Sequence, residues 1–336
     1  HKKKQMKGGF SKIMIKEMEQ TLNMDKQIIL FQNQRGYSPI IECLDCGHMP
    51  QCHQCDVTLT YHQHTDQLKC HYCGYHISVP QKCHACGMTN LSSKGIGTQQ
   101  IQEQVTNLFP EVKVARMDWD TTRGKWAFDK LINSFTTQEV KILVGTQMII
   151  KGLDFQNVHL VGVLNADHLM NFPDFRAHER TYQMLSQVAG RAGRKVLRGK
   201  VLIQTYQPHH PIIQHVINGN YDQMLNQELK DRKQYYYPPY NRLIRIVVYH
   251  SDMEILKKAS HWIVNVLFQS EYGQILGPVF PPVARIRNRY RMHILVKISA
   301  NNYRDRVKQI IKKTLGHFES IPIFRSCKVN VDVDPY

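Results

Sequence analysis

The sequence predicts an α/β protein: an open parallel sheet with helices on both faces, a metal-binding insertion, and a smaller α+β domain at the end. Three observations carry this. Strand-like and helix-like segments alternate strictly between residues 98 and 235, the pattern of a parallel sheet covered on both sides. Eight of the nine cysteines fall within residues 43–86 as four Cys-x-x-Cys pairs. Beyond the run YYYPPYN (235–241) the order becomes strand, helix, two strands, helix, strand, a split βαβ arrangement.

The elements follow in order. Residues 11–24 read as an amphipathic helix, with Ile13, Ile15, Met18 and Leu22 near helical spacing. QIILFQN (27–33) is a buried strand and RGYSP a turn. After the cysteines, TQQIQEQVTNLF (98–109) is a helix with Thr98 as its N-cap. KVARMD (113–118) is a strand, KWAFDKLINSF (125–135) a helix, and KILVGT (141–146) and HLVGVLNAD (159–167) are strands. RAHERTYQMLSQVAG (176–190) is a helix, KVLIQTY (200–206) a strand, and 211–235 one long helix. In the last domain, 242–250 is a strand and 254–269 a helix. Segments 283–287 and 291–298 pair as a hairpin, 301–315 is a helix and 328–333 a strand.

Length and charge bound the function. At 336 residues the chain holds two to three domains, and 42% hydrophobic against 21% charged residues excludes a disordered basic tail. No apolar run approaches the roughly 20 residues of a membrane helix; the longest is broken by Gly162 and Asn165. The basic start, HKKKQMKGG, is not followed by an apolar stretch, so no signal peptide is expected, and opening on His1 suggests a processed chain or a fragment. A net charge of +17 points to a polyanion, with nucleic acid ahead of a membrane surface. The charge is uneven: residues 235–336 carry +9 and residues 43–86 carry −1.

The four pairs are Cys43/Cys46, Cys52/Cys55, Cys70/Cys73 and Cys83/Cys86. A two-residue gap lets two thiolates face one ion, and two such knuckles complete a closed tetrahedral shell of four sulfurs, so eight cysteines make two structural zinc sites. Only five residues separate Cys46 from Cys52, which disfavours side-by-side pairing. VTLTYH and DQLK suggest a hairpin that brings Cys52/Cys55 onto Cys70/Cys73, leaving Cys43/Cys46 and Cys83/Cys86 to close the neck. Crossed pairing is the alternative. With the thiolates filling both shells, His48, His53, His71 and His84 are not ligands, and Cys327 is left without a partner. Eight thiolates and two Zn²⁺ would take the module to about −5, a poor grip on DNA. Tyr61, Tyr72 and Tyr75 could instead stack on a base or meet a protein.

Three further motifs sit at loop–helix edges. QVAGRAGR (187–194) ends a helix with Arg191 and Arg194, whose guanidinium forks suit polyphosphate. ILVGTQMIIKGLDF (142–155) puts a Gly-Thr turn directly after a strand. GIGTQQ (95–100) opens a helix, where free N–H groups suit phosphate. In ARIRNRYRMH (284–293), Arg285, Arg287, Arg289 and Arg291 alternate. They share one face on a continuous strand and splay around a hairpin tip, in either case a basic patch beside Tyr290. A solvated edge that deters aggregation is the other reading.

Together with the eight cysteines, QRGYSP, the GxGT turn, GTQMIxKGxDF, QVAGRAGR and the YPPYxRL run resemble the replication restart helicases of the primosomal protein N′ family across nearly the whole chain. The resemblance implies a RecA-like second lobe of a superfamily 2 helicase with a two-zinc ribbon inserted. It divides the chain into a leading linker and helix (1–24), the second lobe (25–234) with the zinc module (43–86), and a DNA-binding domain (235–336). The chain contains no GxxxxGK[ST] or DExH run; in this family both lie on a first lobe, which holds ATP and Mg²⁺, so this chain alone is expected not to hydrolyse ATP.

The implied roles are these. Arg191 and Arg194 face the γ-phosphate with Gln187 beside them, and Gly152 and Asp154 couple nucleotide state to the lobe interface. Thr98, Thr146, Gln147 and Lys151 track the DNA backbone, joined by the four arginines of the last domain. The implied function is ATP-dependent 3′→5′ unwinding at stalled forks and initiation of primosome assembly, in the bacterial cytoplasm. The implied partners are DNA, primosome proteins and single-stranded DNA-binding protein, with no membrane and a monomeric chain. The rival is a non-enzymatic zinc-bearing nucleic-acid adaptor with a degenerate motor lobe.

Overall fold

The computed structural model describes residues 6–32, 40–62, 65–94, 97–118, 121–122, 124, 126–149, 155–192, 199–268, 274–299 and 304–335. The chain forms two compact units, His1–Pro39 with Gly95–Glu228, and Ile40–Lys94 with Leu229–Tyr336.

The first unit is built on five parallel strands in the order Lys200–Ile203, Val158–Val163, Gln27–Phe31, Ile142–Gly145, Val114–Met117. Side chains alternate along each strand, so a sheet buried on both faces needs apolar residues at every position. Gln27–Phe31 and Val158–Val163 are buried throughout. Ile28, Leu30, Val144 and Leu160 pack against Met14, Met18, Ile101 and Val105 of helices Lys12–Asn23 and Thr98–Leu108. Ile29, Phe31, Leu143 and Val161 pack against Phe135, Leu185, Val188 and Ile213 of helices Ala127–Thr136, Ala177–Ala189 and Pro211–Asn218. Gln27 and His159 are polar exceptions, and Gln27 is paired. Its amide donates to the carbonyls of Phe135 (2.6 Å) and Val140 (2.8 Å), which offsets its burial.

Two expectations change here. The segment 211–235 is two helices, Pro211–Asn218 and Tyr221–Gln234, because Gly219 takes a left-handed φ of 66° and ends the first. Thr98 is the first helical residue rather than the cap, which is Gly97.

The second unit joins the cysteine-rich module to the last domain. In the module, Ile40–Cys43 pairs antiparallel with Leu91–Lys94 at the neck, and Thr60–His62, Gln67–Lys69 and His76–Ser78 form a small sheet. In the last domain an antiparallel sheet runs Gln274–Val279, Arg289–Ser299, Asn241–His250, Lys328–Val333. The strand Gln274–Val279 replaces the expected outer strand at 283–287, of which only Arg285–Ile286 pairs. Helices Met253–Phe268 and Arg304–Ser320 cover one face, burying Ile244, Ile246, Val248, Ile294 and Val296. Asp252 starts the first of these helices by accepting the N–H groups of Glu254 (2.8 Å) and Ile255 (3.0 Å).

The run before this domain is anchored by Lys297, which is 5% exposed. Its ammonium donates to the Tyr235 carbonyl (2.6 Å) and lies 3.8 Å from the centre of the Tyr237 ring. Burial lowers its pKa.

On the sheet face away from the helices, burial, with Arg245 and Arg291 beside it, lowers His293 to about 4. The folded state holds the imidazole neutral, while the unfolded chain takes up a proton below roughly pH 6.5. The stability this site contributes is therefore present above 6.5 and lost as pH falls toward 4. The urea midpoint of this unit is expected to fall over that window, and less steeply in His293→Gln. Equal slopes in the two proteins would count against it.

Candidate metal centres and nucleic-acid interface

The module brings its cysteines together as two nested sets, Cys43, Cys46, Cys83, Cys86 and Cys52, Cys55, Cys70, Cys73, with the four sulfurs of each set all within 4.8 Å of one another. Cys43–Cys86 and Cys46–Cys83 stand 3.6 Å apart, and Cys52–Cys73 3.5 Å. All nine cysteines are free. Thiolates bound at about 2.3 Å to one tetrahedral ion stand about 3.8 Å from each other. The spacing and the soft, closed donor set therefore fit a structural metal ion such as zinc. Local backbone builds the geometry. Cys43, Cys52, Cys70 and Cys83 each donate their N–H to the carbonyl five residues on, at His48 (2.9 Å), Val57 (2.9 Å), Tyr75 (2.8 Å) and Met88 (2.7 Å).

In the parallel sheet, the loops that follow the strands gather at one edge, where α/β sheets bind their ligands. The Thr98 hydroxyl donates to the Asp118 carboxylate at 2.6 Å. Asp118 also pairs with Arg116 Nε (3.0 Å) and accepts the Thr121 N–H (3.0 Å). Thr98 thus ties the start of its helix to the end of strand Val114–Met117. The sequence reading missed Asp118 and Thr121, although Asp-x-x-Thr directly after a strand is a turn signal.

Thr146 donates its N–H to the Met117 carbonyl (3.3 Å), and Gln147 opens a short 3₁₀ turn. The Gln147 amide reaches the Met184 sulfur at 4.0 Å, so this turn lies against helix Ala177–Ala189. Gln187 is exposed on that helix. Arg191 follows its end, with its N–H on the Val188 carbonyl (3.0 Å). Lys151, Gly152, Asp154 and Arg194 lie outside the described residues.

The four alternating arginines do not share a strand face. The chain turns at Arg287 and Asn288, so Arg285 and Arg287 point into the cysteine-rich module. Arg285 Nε pairs with Asp56 (2.9 Å), and Arg291 Nε donates to the Val283 carbonyl (2.8 Å). Arg289 remains exposed.

The architecture defines a class: a RecA-like α/β lobe carrying a metal-binding cysteine-rich insertion and followed by an α+β domain. Comparison with known proteins is more specific. Residues 233–336 match the Primosomal protein N C-terminal domain, and residues 52–77 match the PriA DNA helicase Cys-rich region domain. The chain is 40% identical over 330 residues to replication restart protein PriA of Bacillus subtilis, covering 97% of this chain and 40% of that protein. It is 39% identical over 336 residues to that of Synechocystis, covering 97% and 39%. It is 34% identical over 343 residues to that of Haemophilus influenzae, covering 99% and 45%. The chain belongs to the PriA family. It spans about 40% of the length of the first two relatives. No described helix is long and apolar enough to cross a membrane.

Proposed function

We propose that this chain supplies the second motor lobe, the zinc module and the DNA-binding domain of an ATP-dependent 3′→5′ DNA helicase that recognises stalled replication forks and initiates primosome assembly. The observation that carries this reading is the packing of the Gly145–Gln147 turn against helix Ala177–Ala189, which Arg191 follows, within a chain similar over 97% of its length to proteins named replication restart protein PriA. Such a contact lets a turn that follows DNA and the helix leading to a phosphate-facing arginine move together.

In this reading Arg191 and Arg194 stabilise charge on the transferring phosphoryl group, with Gln187 beside them. ATP and Mg²⁺ are held mainly by the partner lobe, and Gly152 and Asp154 relay nucleotide state. Thr146, Gln147 and Lys151 follow the DNA backbone by sequence-independent contacts. The Thr98 hydroxyl already serves Asp118, so the N–H groups at the start of its helix are the groups that would face a phosphate. Two Zn²⁺ occupy the cysteine sets and hold the module's fold. Of the four alternating arginines, Arg289 is exposed and is the one we place against DNA. Primosome proteins and single-stranded DNA-binding protein are the protein partners, in the bacterial cytoplasm.

The test is Arg191→Ala in the helicase with both lobes present. DNA-stimulated ATP hydrolysis is expected to fall about 10³-fold, while DNA affinity changes little. Hydrolysis at the parent rate would remove the phosphate role. A parent protein that binds DNA and never hydrolyses ATP would favour the adaptor.

A further inference from the structure

Three of the four cysteine knuckles are closed by their own glycine. Gly47, Gly74 and Gly87 take φ values of +74°, +83° and +76°. Their N–H groups donate to the carbonyls of Cys43, Cys70 and Cys83 at 2.8, 2.9 and 2.8 Å. The fourth knuckle, Cys52 to Cys55, is followed by Asp56. Its closing contacts come instead from the last domain, more than 200 residues along the chain.

The Asp56 N–H donates to the Arg285 carbonyl at 3.0 Å, and the Asp56 carboxylate accepts from Arg285 Nε at 2.9 Å. The Gln54 carbonyl accepts the Asn288 N–H at 2.8 Å. Ile286 packs against the apolar cluster of Cys52, Cys55, Leu59 and Leu68. Arg287 reaches both knuckles of one metal centre. Its N–H donates to the Cys55 sulfur at 3.3 Å, and its Nε donates at 3.2 Å to the carbonyl of Tyr72, which lies between Cys70 and Cys73. To do this Arg287 and Asn288 adopt φ values of +52° and +59°, the two left-handed positions of a tight hairpin turn. Asn288 accepts that conformation readily, whereas at Arg287 a Cβ disfavours it and the contacts to Cys55 and Tyr72 help to hold it.

We propose that the Arg285–Arg289 hairpin completes the outer hydrogen-bonding shell of the inner metal centre, so that metal at Cys52, Cys55, Cys70 and Cys73 and docking of the last domain stabilise each other. Four thiolates around one divalent ion leave two negative charges. The Arg287 N–H on the Cys55 sulfur and its guanidinium offset part of that charge, as outer-shell donors do at other metal centres, while Arg285 is paired with Asp56 and holds the knuckle. Linkage makes the effect reciprocal: whatever the hairpin adds to metal affinity, the metal adds to docking. Arg287 is thus a positioning residue for the metal rather than a DNA contact.

The inference rests on the metal reading of the cysteines, and one experiment separates the two. The chain is purified with its metal, and release is followed with an excess of a chromogenic chelator. The double variant Arg285→Ala, Arg287→Gly deletes both guanidinium groups and keeps the backbone turn. It is expected to release one equivalent about tenfold faster, with the other at the parent rate. In the unmutated chain, hydrogen exchange at the Arg287 and Asn288 amides is expected to rise at least tenfold on metal removal, while strand Asn241–His250 stays protected. Parent-like release of both equivalents, or hairpin protection that ignores the metal, would overturn the coupling. If the double variant does not fold, the exchange measurement decides alone. A parent chain purified without metal would instead sink the metal reading itself.

Discussion

Cys70→Ser is expected to lose one of two metal equivalents and, with it, the fold of the module around residues 52–77. Cys70 is 2% exposed, and among the described residues of the module the buried aliphatic side chains apart from cysteines are Ile41, Leu59 and Leu68, while Pro50 and Thr60 are also buried. Three such side chains stabilise by about 1.5–3 kcal/mol each. A structural zinc ion in a small peptide is worth about 10–16 kcal/mol. The metal term dominates, as it does in small modules that cannot build a sufficient core. The expected readout is elemental analysis giving one metal per chain, with rapid proteolysis between residues 52 and 77. The parallel sheet should survive, because its two core clusters contain no cysteine. Two metals per chain in the variant would contradict the assignment.

Gly145→Ala is expected to cost about 3 kcal/mol, although it adds one methyl group. A Cβ at Gly145 would stand 2.5 Å from the Met117 carbonyl and 2.4 Å from Ile149 Cδ1. The isoleucine can turn away. The carbonyl cannot, because it accepts the Thr146 N–H and belongs to the neighbouring parallel strand. The strands must separate locally, and the Thr146–Gln147 turn moves with them. Denaturation should show a lower midpoint for the parallel-sheet unit, and DNA affinity of the intact helicase should fall with it. An unchanged midpoint would show that the strands tolerate the methyl group.

How much was legible depended on the range of the interaction. The knuckles were readable because two thiolates two residues apart define most of a metal shell, and the nested sets needed only one hairpin between them. The strand expected at 159–167, which the structure places at Val158–Val163, was readable from its apolar residues Leu160, Val161 and Val163, even though the buried His159 interrupts the run. The break at Gly219 was visible in Asn218-Gly219-Asn220, but the helical pattern on either side outweighed it. Strand Gln274–Val279 was hidden by Gly277 and Pro278. It is an edge strand, where a residue without an N–H costs no ladder bond on the open side. The arginine alternation left a continuous strand and a hairpin tip both open, because a two-residue turn looks like strand periodicity in the sequence, and the structure has the tip, at Arg287 and Asn288. Nothing local announced that Arg287 would meet Cys55, because 232 residues separate them.

That separation has a consequence for biosynthesis. At about 5–20 residues per second, a ribosome needs roughly 10–50 s to travel from Cys55 to Arg287. During that interval the inner thiols have emerged and can take up metal, but the hairpin that shelters them does not yet exist. The nascent module must hold its ion by the cysteines alone, and an oxidant or a competing metal meets it in its most vulnerable form while the chain is still being made.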